Sequence, residues 1–192
     1  IVCTLDLVPD APADGTCEGC GRCVEACPTG ALKGDGLVDC RLCVSSLTIE
    51  QEAPISPSLW PKMHGCLFGC DACQDACPHN HKAAEIDSPL APAPDLLAPD
   101  LPALLRMPPE DFTRRFLGTP LHRAKRRGVL RNACVALGNL DDPASIPALR
   151  HALRDPEPLI RGHAAWALGR LGAQEALPAA MADEADEWVR EE

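Results

Sequence analysis

The sequence predicts two unlike parts in tandem: an α+β module stapled through its cysteines, then an all-α solenoid of short helical repeats. Two observations carry this. Eleven of the twelve cysteines lie before residue 78, and a stretch of the second half returns 31 residues later. A third observation agrees with them. Three Phe, three Trp and no Tyr leave few bulky side chains for a core, so something besides hydrophobic burial must hold the first half together.

Taken in order, residues 1–16 read as a short strand-like apolar start with a Pro/Asp turn, the end of a preceding domain. Residues 17–84 hold the cysteine framework. Residues 85–110 contain seven prolines, which forbid a long helix and mark a semi-rigid linker. Residues 111–192 are helical. Val129–Leu140 (VLRNACVALGNL) returns as Ile160–Leu171 (IRGHAAWALGRL), and Pro147 and Pro178 fall in register behind them. Apolar positions 130, 133, 134, 137 and 140 share one helix face, as do 160, 164, 167, 168 and 171. A helix pair repeated at so short a period signals a compact HEAT-like α-solenoid. The chain opens at Ile1 and stops at Glu192, where another helix would begin and where a capping repeat is expected, so truncation at both ends is expected.

Clustered cysteines mean disulfides in an oxidising compartment or metal ligands in a reducing one. The chain shows no secretory leader and no run of eighteen apolar residues, which points to the cytoplasm and away from a membrane. The formal net charge of −10 argues against uniform binding of nucleic acid. Residues 106–131 depart from that balance with a local net charge of +6. Alone, Arg114, Arg115, Arg123, Lys125, Arg126, Arg127 and Arg131 read equally well as a solvated helix face or as a platform for phosphates.

The chemistry lies in the cysteine spacing. Cys17-x2-Cys20-x2-Cys23-x3-Cys27-Pro28 matches the bacterial pattern for 4Fe–4S ligation, and Cys70-x2-Cys73-x3-Cys77-Pro78 repeats its latter part. Three thiolates at intervals of three residues wrap a loop around one cluster, and the fourth, before proline, serves the other. Cluster one therefore takes Cys17, Cys20, Cys23 and Cys77. Cluster two takes Cys27, Cys70, Cys73 and one of Cys40, Cys43 or Cys66, because Leu67 stands where a full second copy would have cysteine. A zinc site gives no reason for the third cysteine or the proline, twice over. His79 and His81 are read as neighbours of a cluster rather than ligands, and Cys134 as a small buried hydrophobe. The fold expected is thus a ferredoxin-like double 4Fe–4S module ahead of the solenoid. No catalytic triad, phosphate loop or dinucleotide fingerprint is present, so no catalytic residue is assigned.

In order along the chain, the segments CxxCxxCxxxCPTGAL (17–32), DCRLCVSSLTIE (39–50), FGCDACQDACPHN (68–80) and TPLHRAKRRGVLRNACVALGN (119–139) closely resemble the epoxyqueuosine reductases. The resemblance implies a cobalamin-binding domain before the clusters, HEAT-like repeats after them, and reduction of epoxyqueuosine to queuosine at the tRNA wobble position. It places the last ligand of cluster two on Cys43. It implies tRNA held by the basic helix, a flavodoxin- or ferredoxin-like electron donor, and a monomer. Position 40, Cys66, Ser46 and His79 depart from the family pattern. Two other readings compete: an electron carrier fused to a protein-binding solenoid, and part of a corrinoid reductive dehalogenase. The SSLTIE segment and the HRAKRRG helix favour the epoxyqueuosine reductase reading over the dehalogenase.

Overall fold

A computed structural model describes residues 4–11, 17–34, 36–82 and 94–191. Residues 1–3 (with Cys3) and 12–16 of the start, and residues 83–93 of the proline-rich segment, lie outside these. Helix dominates. Among the described residues the only β pairing is one antiparallel bridge, Leu32 with Val38, and residues 4–11 form no strand. The expected α+β character shrinks to this single rung. Its physical cause is local, because Cys-Pro turns and left-handed glycines interrupt residues 17–82 too often for a run of alternating strand residues to form.

The cysteine module is built from short helices. They are α1 (Arg22–Ala26), α2 (Val44–Ile49), a 3-10 segment (Pro57–Met63) and α3 (Ala72–Asp75). Three more follow: α4 (Pro94–Leu97), α5 (Leu101–Leu105) and α6 (Pro109–Phe116). Asp100 caps α5, its carboxylate accepting from the Ala103 N–H at 3.0 Å. Leu104 and Leu105 of α5 are buried in the main core, so the described part of the proline-rich segment packs rather than merely spans.

The repeats are α7 (Lys125–Leu140) with α8 (Ile146–Ala152), and α9 (Pro158–Arg170) with α10 (Leu177–Ala182), followed by α11 (Glu187–Glu191). The apolar faces read from the sequence line the core, except that Leu140, at the helix end, is 58% exposed. At Gly138 the two long helices nearly touch, and a Cβ there would stand 3.0 Å from the Ala167 Cα. A larger residue would force them apart.

Helix α7 is buried from Gly128 to Gly138 on every side, because it is sandwiched. One side meets the repeat core. On the other, Val135 joins Val44, Leu47, Ile55, Leu59, Trp60 and Met63 of the cysteine module in a second core. Trp60 is fully buried, donates its indole N–H to the Ile55 carbonyl at 2.9 Å, and stacks near His163 and Trp166 of α9. Burial in this aromatic nest pushes the His163 pKa down to about 3, so the ring is neutral. Asn139 adds two hydrogen bonds, to the carbonyls of Trp60 and His64, both at 2.8 Å. Cysteine module and solenoid are thus joined by a shared core.

Candidate metal centre and basic strip

The two Cys-Pro loops share a backbone hydrogen-bond pattern, fifty residues apart in sequence. In the first, the N–H groups of Val24 and Glu25 donate to the Gly21 carbonyl, Cys27 donates to Val24, and Gly30 donates to the Cys27 carbonyl. In the second, Gln74 and Asp75 donate to Asp71, Cys77 to Gln74, and Asn80 to Cys77. Each helix is thus about one turn and leads into a cysteine ahead of proline, with Cys23 in α1 and Cys73 in α3. The two helices pack side by side. His79, after the second loop, stands 3.8 Å from Glu18 in the first, so the stretch bearing Cys77 lies beside the stretch bearing Cys17.

Backbone N–H groups already point at sulfur. Ala31 donates to the Cys27 Sγ at 3.2 Å, and Gly19 to the Cys17 Sγ at 3.4 Å. Partial burial alone would raise the Cys27 pKa, but hydrogen bonds from Leu32, Thr29 and Ala31 outweigh it and hold the thiol below its usual value. Gly19, Gly21 and Gly69 have φ between 66° and 84°, a left-handed backbone that lets the loops turn tightly at the cysteines. The eleven described cysteines are free thiols. Among the described residues no three Cys, His, Asp or Glu side chains converge on a single-ion site. The fit to iron–sulfur clusters rests on the duplicated loop and its N–H···S bonds, the usual way a protein supports cluster sulfides and thiolates.

Around the second loop, Cys43 begins α2 as its N-cap residue. Burial raises the Cys73 pKa, with Cys70 and Cys43 close enough to add to the effect. Burial, with Cys70 nearby, pushes the Cys66 thiol up to about 11. Cys43 and Cys66 therefore both border the second cysteine group. Cys40 is exposed, its thiol 4.0 Å from the Val38 carbonyl. Cys134 is fully buried in the repeat core, its pKa raised by that burial.

The basic residues separate into three groups. Arg114 and Arg115 are exposed on α6, Arg114 paired with Asp111 and Arg115 lying over the Phe116 ring. Arg123 and Lys125 are also exposed and reach the cysteine module, Arg123 to Glu50 at 2.7 Å and Lys125 to Glu52 at 2.6 Å. Arg126 is bound through two nitrogens to Asp155, and Arg127 stands 3.5 Å from Glu157.

Arg131 overturns the sequence expectation. It is fully buried and so cannot meet RNA. Its guanidinium donates to the carbonyls of Leu47 (2.8 Å), Gln51 (2.7 Å) and Ala53 (3.2 Å), and to the Asn132 Oδ1 at 3.0 Å. Burial, with Arg127 nearby, lowers its pKa to about 10, which still leaves it charged at neutral pH. The positive charge sits where the carbonyl end of α2 is negative. Sequence reasoning missed Thr48, Asn132 and Asn139 altogether. The repeat match offered the signal, since Arg131 and Asn132 occupy the positions of Gly162 and His163 in the next repeat.

Paired Cys-Pro loops fused to stacked helix pairs are the architecture of a double iron–sulfur protein with a HEAT-repeat extension. Residues 16–80 match the family of 4Fe-4S double cluster binding domains, and residues 116–192 match HEAT repeats. The chain is similar along its whole length to the epoxyqueuosine reductases. It is 34% identical over its full length to the epoxyqueuosine reductase of Listeria monocytogenes, covering 52% of that protein. It is also 34% identical to an uncharacterised protein of Geobacillus stearothermophilus, of which it covers 91%. Among solved structures, an epoxyqueuosine reductase with a tRNA-Tyr epoxyqueuosine-modified stem loop superposes with a TM-score of 0.87 at 33% identity, over 95% of this chain and 50% of that one. The Bacillus subtilis enzyme superposes with a TM-score of 0.86 at 33% identity, over 96% and 50%. The chain spans about half the length of the epoxyqueuosine reductases it matches.

Proposed function

We propose that this chain is the electron-transfer and tRNA-docking part of a reductase that converts epoxyqueuosine to queuosine at the tRNA wobble position. The observation that supports it best is the duplicated Cys-Pro loop, side by side with its copy and donating N–H to sulfur. Cys17, Cys20, Cys23 and Cys77 would hold one 4Fe–4S cluster, and Cys27, Cys43, Cys70 and Cys73 the other. A bound cluster of this kind takes up and returns one electron at a time, at a potential set by burial and hydrogen bonding to its sulfurs. The chain's own contribution is to seat the loops on a rigid core and to aim the N–H donors. Cobalamin is assigned to a separate domain, and no residue of this chain is given to it. The proposed electron donor is a flavodoxin- or ferredoxin-like protein, and the proposed state is a cytoplasmic monomer. Among the described residues no helix is long and apolar enough to cross a membrane.

The division into a cluster module (17–84), a connecting segment (85–110) and helical repeats (111–192), preceded by the end of another domain (1–16), belongs to the same proposal. Anaerobic reconstitution should load about eight iron and eight acid-labile sulfide per chain. Zinc in their place, or no sulfide, would sink the reading.

The phosphate platform is narrower than the sequence implied. Arg114, Arg115, Arg123 and Lys125 form its exposed part, with Arg126 and Arg127 at its inner edge. Ion pairs as exposed as Arg123–Glu50 are worth about 0–1 kcal/mol, so exchanging a carboxylate for a phosphate costs little. Reversing Arg114, Arg115 and Arg123 to Glu together should weaken binding of a tRNA anticodon stem-loop. The slope of log K against log salt should flatten by about one for each phosphate that is no longer neutralised. An unchanged slope would leave the strip a solvated face and favour the carrier with a protein-binding solenoid.

A further inference from the structure

We infer that Thr48 and Asn132 are positioning residues for the second cluster: they fix the helix that starts at Cys43 against the loop that carries Cys70. The inference rests on the ligand assignment proposed above.

Thr48 is fully buried in α2, five residues after Cys43. Its hydroxyl donates to the Val44 carbonyl at 2.8 Å and accepts the Gly69 N–H at 3.0 Å. Gly69 precedes Cys70 and has φ +84°, so that N–H is aimed by a backbone conformation few residues adopt. One hydroxyl therefore ties the Cys43 helix to the residue before Cys70.

Asn132, also fully buried, makes the same tie from outside. Its amide nitrogen donates to the Thr48 carbonyl at 2.8 Å and to the Leu67 carbonyl at 2.9 Å, using both hydrogens. The amide cannot flip, because its Oδ1 accepts from Arg131, a group with no acceptor to offer. Arg131 in turn grips the carbonyls of Leu47, Gln51 and Ala53, beyond Thr48 on either side. Leu67 is the position where a complete second copy of the motif would carry its own cysteine. The fourth thiolate must then come from a distant segment, and a local loop no longer fixes its place. Thr48 and Asn132 supply that missing constraint, and Asn132 supplies it from the first helical repeat. Among the described residues the first cluster has no such dependence on the repeats.

The test uses the whole chain, reconstituted anaerobically, with Thr48→Val, Asn132→Ala and, as a control far from the cysteines, Thr113→Val. Val is nearly isosteric with Thr, so Thr48→Val leaves packing intact if Asn132→Ala proves too disruptive to fold. Iron release to a chelator should become biphasic in both variants, with half the iron leaving about tenfold faster and half at the wild-type rate. In a redox titration followed by EPR, one of the two cluster signals should shift its midpoint while the other holds. Equal loss from both clusters, or release and midpoints that match wild type, overturns the inference. A wild-type chain that binds no cluster overturns the ligand assignment itself, and the inference with it.

Discussion

Arg131→Ala is expected to lower the stability of the chain by about 3–5 kcal/mol, which is much of what a domain of this size holds. The substitution strips hydrogen bonds from the carbonyls of Leu47, Gln51 and Ala53, frees the Asn132 amide to turn, and leaves a void beneath α2. Arg131→Lys should recover only part of this, because an ammonium cannot fan out to carbonyls from three different residues as a guanidinium does. Denaturant unfolding of anaerobically prepared protein reads the effect. RNA affinity of the folded fraction should stay the same. A variant of near wild-type stability that bound RNA poorly would return Arg131 to the phosphate platform.

The second large effect concerns the ligands. Cys43→Ser should leave about four iron per chain where wild type holds about eight, while Cys66→Ser should load fully. Both thiols border Cys70 and Cys73, but they differ in setting. Cys43 heads a helix whose far end is clamped by Arg131 and Asn132, so its position is fixed. Cys66 packs against the buried face of Leu59, Trp60 and Met63, where ionising a thiol is costly. Iron and sulfide analysis separates the two. A defective Cys66 variant beside an intact Cys43 variant would move the fourth ligand to Cys66.

What could be read from the sequence was whatever is local. Ligand loops are contiguous, so Cys17 to Pro28 and Cys70 to Pro78 announce themselves by spacing, and the structure gives both the same turns. The helical repeats show in periodicity for the same reason. The expectation of sheet failed because a few apolar residues near Ile1 and around Leu32 resemble strands, while the pairing partners a sheet needs are absent from the described residues. The basic cluster misled in another way. Charge along a sequence does not say which side of a helix is covered, and α7 is covered on both. Arg131 thereby became an internal clamp, while Arg123 and Lys125, a turn or two earlier, remained at the surface facing Glu50 and Glu52. Comparing the repeats position by position would have flagged it, since a buried Gly-His pair in one copy is Arg-Asn in the other.

That mismatch also means the two repeats are not interchangeable parts. The second makes no hydrogen bond to the carbonyls of α2 among the described residues. Substituted for the first, it would present Gly and His to a row of bare peptide oxygens, and the metal-bearing half of the molecule would lose its footing.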